Sequence, residues 1–170
     1  MVQRLVALHV VAVSLGDGFS SIFHDLAVER IVDGGQTMNP SIEDLLEAIR
    51  DVHAQCVFVF PNNGNVILAA QQAASLAEKE VHVIPTKNVA MGIAAAVAFQ
   101  PELSSEENVR RMTDASQRVR TGTVTYAVRD SVFEDLTIHQ GDIIGLYNGK
   151  IHVVGSEISE VTERLMRSIV

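Results

Sequence analysis

Four short stretches dominated by Val, Ile, Leu and Phe constrain this chain more than any other feature. They occupy residues 5–13, 28–32, 56–60 and 81–84, and none alternates cleanly between apolar and polar positions. A strand with one wet face alternates, whereas a strand buried on both faces is apolar throughout. The pattern therefore predicts a parallel sheet covered by helices on either side. Helical periodicity fills the gaps. Ser41 reads as an N-cap with Asp44 three residues on, in place of the usual Glu or Gln, and Ile42, Leu45, Leu46 and Ile49 share one helical face. A second helix is expected over 66–79, where Ala69, Ala70, Ala73 and Ala74 allow close approach to the sheet. A third follows Asn88 and is apolar on every side, which predicts burial on nearly every side, by this chain or by a partner.

Strands alternating with helices make residues 1–100 a doubly wound α/β core with right-handed connections. Beyond Gln100-Pro101-Glu102 the character changes. Ser104 and Glu107 form a capping-box pattern for a more polar helix reaching Arg118, and residues 121–129 alternate as a strand. Residues 143–147 and 151–154 flank Asn148-Gly149, a strong hairpin signal. Ser156 is placed to cap a closing helix with Ile158, Val161, Leu165 and Ile169 turned inward. The expected fold is thus a single α/β domain over 1–170, a mainly parallel doubly wound sheet flanked by helices, with residues 101–170 adding a helix, strands, a β-hairpin and a final helix.

Charge narrows the partners. The formal net charge is −8 and there is no basic cluster, which disfavours nucleic acid and anionic membrane surfaces. The first apolar run is too short to span a bilayer and lacks a cleavage site after it. Cys56 is the only cysteine, so no internal disulfide forms; it sits in an apolar run and reads as a small buried core residue. These features point to the cytoplasm.

In an open parallel sheet, ligands collect at the carboxyl ends of the strands. The four loops there are Gly16-Asp17-Gly18, the stretch from Asp33 to Ser41, Pro61-Asn62-Asn63-Gly64-Asn65, and Pro85-Thr86-Lys87-Asn88. From them comes a candidate ligand-binding set: Asp17, Gly34, Gly35, Gln36, Thr37, Asn39, Ser41, Asn62, Asn63, Asn65, Thr86 and Lys87. Glycine permits tight backbone, helix N-termini offer free N–H groups, the amides and hydroxyls add neutral hydrogen bonds, and Lys87 adds positive charge. A carboxylate or phosphate suits such a rim. The same residue types also make ordinary turns and caps. Each loop alone is explained as a turn; the four together make a binding surface an equal alternative.

Other chemistry finds little basis. Neither G-x-x-x-x-G-K-[ST] nor G-x-G-x-x-G occurs, so a nucleotide site lacks a sequence signal. The six histidines include no i, i+4 pair, and His82 and His152 read as strand histidines; no metal-ligand set assembles from the sequence. Ser20-Ser21 beside His24 lacks an orienting carboxylate, so no catalytic residues are expected.

Several longer stretches carry a resemblance. Val-Asp-Gly-Gly-Gln-Thr-Met-Asn-Pro-Ser, Phe-Pro-Asn-Asn-Gly-Asn-Val-Ile-Leu-Ala-Ala, Val-Ile-Pro-Thr-Lys, Gly-Ile-Ala-Ala-Ala-Val-Ala-Phe-Gln-Pro-Glu, Thr-Gly-Thr-Val-Thr-Tyr-Ala-Val-Arg-Asp and Gln-Gly-Asp-Ile-Ile-Gly occur in this order. Together they resemble the C-terminal, DegV-like region of the fatty acid kinase A (FakA) family. The resemblance implies a fragment of a longer kinase protein whose ATP- and Mg²⁺-binding domain lies outside this chain, so that no cofactor belongs here. It implies a non-catalytic role in docking a separate fatty-acid-binding DegV-like protein, and homodimerisation through the parent protein. DegV proteins hold an acyl carboxylate with a Thr-Ser-x-Pro-Ser loop. The matching Thr37-Met38-Asn39-Pro40-Ser41 has Met38 where that hydroxyl would stand, which weakens the case for identical acyl binding.

Overall fold

The computed structural model describes residues 7–35 and 38–170. The chain divides into two compact units, Met1–Val119 and Arg120–Val170. The first unit runs β1 (Leu8–Ser14), α1 (Asp17–Asp25), β2 (Arg30–Asp33), α2 (Ile42–Asp51), β3 (Cys56–Phe60), α3 (Ile67–Leu76), β4 (Glu80–Val83), α4 (Val89–Ala98) and α5 (Ser105–Gln117). Its sheet has the order β2-β1-β3-β4, with every pairing parallel.

Burial explains why two strands are almost wholly apolar and two are not. Val11, Val13, Val57 and Val59 pack on one face against Leu45, Leu46 and Ile49 of α2 and Ala70 and Ala73 of α3. Val10, Ala12, Phe58 and Phe60 pack on the other face against Phe23 of α1, Ala95 and Ala96 of α4 and Met112 of α5. The central strands β1 and β3 are therefore dry on both sides, as a covered parallel sheet requires. The edge strands β2 and β4 tolerate Arg30, Glu80 and His82 because they remain partly open to solvent.

Local signals set the helix ends. Ser41 Oγ accepts from Asp44 N at 3.1 Å, and the Asp44 carboxylate accepts from Ser41 N at 2.8 Å, so aspartate completes the capping box. Ser104 Oγ accepts from Glu107 N at 3.2 Å, but the Glu107 carboxylate turns to Arg110, leaving half a box. The fully buried Asn108 ties the preceding turn, bonding both N and O of Gln100 and the carbonyls of Leu103 and Ser104. Helix α5 packs against α4 and so belongs with the first unit.

One expectation is corrected at α4. Only Gly92, Ala95 and Ala96 are buried, and Val97 is 67% exposed. Alanine and glycine make the helix apolar in sequence while supplying little side-chain volume to bury.

The second unit contains β5 (Gly122–Tyr126), β6 (Ser131–Phe133), β7 (Leu136–Ile138), β8 (Ile143–Tyr147), β9 (Lys150–Gly155) and α6 (Ile158–Ile169). Strands β5-β8-β9 form an antiparallel sheet, and β6-β7 a separate hairpin that the sequence pattern does not announce. Asn148 and Gly149 both have positive φ (51° and 77°), the backbone that a tight primed turn demands. Ile143 and Val153 pack against Val161 and Leu165 of α6, with Val124, Tyr147 and Ile169 at the margin. The cap of α6 is Glu157, without a side-chain bond, rather than Ser156, and Ile158 is exposed instead of inward.

Candidate functional site: a cleft at the carboxyl edge of the parallel sheet

Strand order dictates where this unit can hold something. Chain direction away from β1 reverses between β2 on one side and β3 on the other, so the loops leaving β1 and β3 diverge to opposite faces and open a crevice. A cleft of about 360 Å³ lies there. Its walls are Val13, Ser14 and Leu15 from the end of β1, Pro61, Asn62 and Asn63 after β3, and Gly34 and Gly35 after β2. Phe19 of α1 and Lys87, Asn88 and Val89 at the start of α4 complete it.

The amide-rich loop after β3 is built by its own hydrogen bonds. Asn62 takes the left-handed conformation (φ 54°), which Asn tolerates better than most residues. Its backbone N–H donates to Thr86 Oγ1 at 3.0 Å and its Nδ2 to Val13 O at 2.9 Å, joining the ends of β1, β3 and β4. Close packing of α4 completes the arrangement, since a Cβ at Gly92 would overlap the Asn62 amide. Asn63 Nδ2 reaches Gly35 O at 3.4 Å, and Asn63 Oδ1 accepts from Asn65 N at 2.9 Å. Gly35 itself lies so near Leu15 that an added Cβ would meet Leu15 Cδ2 at 2.6 Å.

Two buried polar atoms in this wall have no hydrogen-bond partner: Ser14 Oγ, in a residue 2% exposed, and Asn62 Oδ1, in one 7% exposed. An unpaired buried polar group carries a desolvation cost of about 1–3 kcal/mol. Lys87 stands exposed at the mouth. Beside it α4 begins, with Asn88 Oδ1 accepting from Met91 N at 2.9 Å, and the N-terminal dipole of that helix adds partial positive charge. Around the opening, Leu15 is 56% and Phe19 47% exposed.

Of the residues proposed from sequence, Gly34, Gly35, Asn62, Asn63 and Lys87 line the cleft, and Thr86 lies buried behind Asn62. Gln36 and Thr37 lie outside the described residues. Four others are placed elsewhere. Asp17 opens α1 outside the lining, Ser41 is engaged in the α2 cap, Asn39 faces a shallow depression beside Asp44 and Glu47, and Asn65 supports the Asn63 turn through its backbone. The structure adds Ser14, Leu15, Phe19, Asn88 and Val89. A single hydroxyl ending an otherwise apolar strand is the available signal for Ser14.

The opposite edge of the sheet corrects a second expectation. Donor atoms of Cys56, Glu80 and His82 all lie within 4.8 Å of one another, although no such set is legible in the sequence. The Cys56 thiol is buried, and burial followed by the nearby Glu80 carboxylate pushes its pKa up to about 12. His82 hydrogen-bonds Glu80 at 2.5 Å, which holds that carboxylate below its ordinary range, with Ser105 adding a second bond.

Comparisons with known proteins follow the same outline. The FakA-like C-terminal family, a family of fatty acid kinase components, matches residues 9–170. Protein YloV of Bacillus subtilis is 43% identical over 142 residues, covering 84% of this chain and 26% of that protein. An uncharacterized protein of Staphylococcus saprophyticus is 37% identical over 161 residues, covering 95% of this chain and 29% of its own length. The chain thus spans little more than a quarter of the relatives it matches. Among solved structures, phosphotransferase system component EIIA from Streptococcus agalactiae aligns with a TM-score of 0.42 and 15% identity, covering 65% of this chain and 92% of that one. Among the described residues no helix is long and apolar enough to cross a membrane.

Proposed function

We propose, starting from the fact that this chain belongs to the FakA-like C-terminal family, that it is a non-catalytic binding module of a fatty acid kinase. Its task is to dock the fatty-acid-binding partner protein, and the carboxyl-edge cleft is the docking face. ATP and Mg²⁺ belong, on this proposal, to the remaining length of the parent protein. DegV-like ancestry of the α/β unit is part of the same proposal.

The observation that carries it is the composition of the rim. Exposed Leu15 and Phe19, with Ile22 one turn further along α1, adjoin Lys87 and a wall of fixed amides. Exposed large apolar side chains gathered around a polar pocket mark interaction surfaces more than solvated ones. Interferometry between the chain and the fatty-acid-binding protein tests this. Wild type is expected to bind, and Phe19→Asp to weaken binding by about tenfold or more, the scale of one lost interfacial anchor. Retained binding by a kinase lacking this segment, together with none by the segment, would overturn it.

A second reading is favoured by the unpaired Ser14 Oγ and Asn62 Oδ1 beside Lys87: a small carboxylate or phosphate group seats in the cleft. Inorganic phosphate and a short fatty acid are the probes. Ligand-dependent stabilisation that disappears in Lys87→Ala supports it, and an unchanged melting temperature with both probes removes it.

A further inference from the structure

We propose that Cys56, Glu80 and His82 form a binding site for a zinc-like divalent cation at the amino-terminal edge of the parallel sheet, at the opposite end of the strands from the cleft. Its geometry follows from strand register. Cys56 and Glu80 are direct partners in the β3–β4 pairing, and Phe58 pairs with His82. Side chains two residues apart on a strand share a face, so Glu80 and His82 both project to the side that carries Cys56. The result is a thiol, a carboxylate oxygen and an imidazole nitrogen within 4.8 Å of one another.

This donor set matches zinc-like chemistry. Zinc takes thiolate at about 2.3 Å and imidazole or carboxylate at about 2.0–2.2 Å, and three protein donors with one further position are a common arrangement. Those bond lengths place tetrahedral donors roughly 3.3–3.7 Å apart, so the Glu80–His82 contact of 2.5 Å opens by roughly one ångström to admit the ion. Neighbours already orient two of the three donors. The His82 ring stacks on Phe58, with centroids 5.8 Å apart and planes 23° from parallel, and Ser105 hydrogen-bonds the Glu80 carboxylate. Such supporting contacts are what fix ligands in metal sites. The entry path is short, because the side chains of His82 and Glu80 are 33% and 48% exposed.

Binding exchanges one proton. The Cys56 thiol gives its proton to solvent and becomes the thiolate ligand, Glu80 coordinates as carboxylate and His82 as neutral imidazole. Two positive charges of the ion then meet two negative donors, and Glu106 adds a further negative charge nearby.

Titration of the full chain with Co²⁺ tests the proposal, because cobalt–thiolate coordination gives a charge-transfer absorption that histidine and carboxylate alone do not. The expected result is a band that saturates at one ion per chain, is displaced by Zn²⁺ and is lost in Cys56→Ser. Glu80→Gln and His82→Gln, both at half-open positions on an edge strand, are expected to weaken affinity about tenfold or more. They decide the matter if Cys56→Ser fails to fold. Absence of the band in the folded wild-type chain overturns the site. So does a band that survives Cys56→Ser, or affinity unchanged in both glutamine variants.

Discussion

The two units solve the same problem with unequal means. In the first, β1 and β3 are buried on both faces and two separate apolar clusters flank one sheet. In the second, one face of a three-stranded sheet meets one helix, and the buried cluster is Ile143, Val153, Val161 and Leu165. Exposure shows the difference: Val128 and Val132 of the second unit are 82% and 73% exposed. Rigidity therefore concentrates where the cleft is, and the rim loops are anchored on strands that cannot easily shift. The second unit has less buried apolar surface with which to offset its chain entropy.

Core truncation breaks or sharpens this comparison most strongly. Phe58 is fully buried between β1 and the α4–α5 layer. Phe58→Ala is expected to destabilise by about 3–5 kcal/mol, and denaturant unfolding followed by amide exchange should place the loss in β1 and β3. Leu165→Ala is expected to cost about 2–4 kcal/mol, with faster exchange confined to β5, β8 and β9. Equal acceleration in both units would show that they do not differ in the way described.

A smaller effect is expected at the rim. Thr86 is buried and its Oγ1 accepts from Asn62 N. Thr86→Val keeps the shape and leaves that N–H unpaired, so stability should fall by about 1–3 kcal/mol. Chemical shifts should move at Asn62 and Val13 while those of the second unit stay fixed.

The smallest effect is a pH dependence at the sheet's other edge. Glu80 is held below its ordinary pKa of 4.5 by hydrogen bonds with His82 and then Ser105. A depressed carboxylate contributes stability that is present above its ordinary value and lost as pH falls through its folded value. Wild type should therefore lose stability below about pH 4.5 more steeply than Glu80→Gln, as read by melting temperature against pH.

Legibility in the sequence follows burial. Strands β1 and β3 are readable because double-sided burial forces continuous apolar sequence, and the turn at Asn148-Gly149 because positive φ restricts residue type. Five cleft residues are found through the rule that loops at strand ends converge, which needs only element order. What escapes depends on distance. Ser14 looks like the start of a loop, yet its hydroxyl is buried in the wall. The hairpin β6-β7 has strands of three residues separated by Glu134 and Asp135, too short for a periodic signal. The Cys56, Glu80 and His82 cluster requires knowing that β3 and β4 are neighbours in a particular register. Helix α4 misleads because apolar character in its sequence comes without bulk.

Amide hydrogen exchange of this chain, alone and saturated with the fatty-acid-binding protein, tests the docking face most directly. Slowed exchange gathered at Leu15, Phe19, Asn63 and the first turn of α4 is the predicted outcome. Protection confined to the second unit, or none anywhere at saturation, would contradict it.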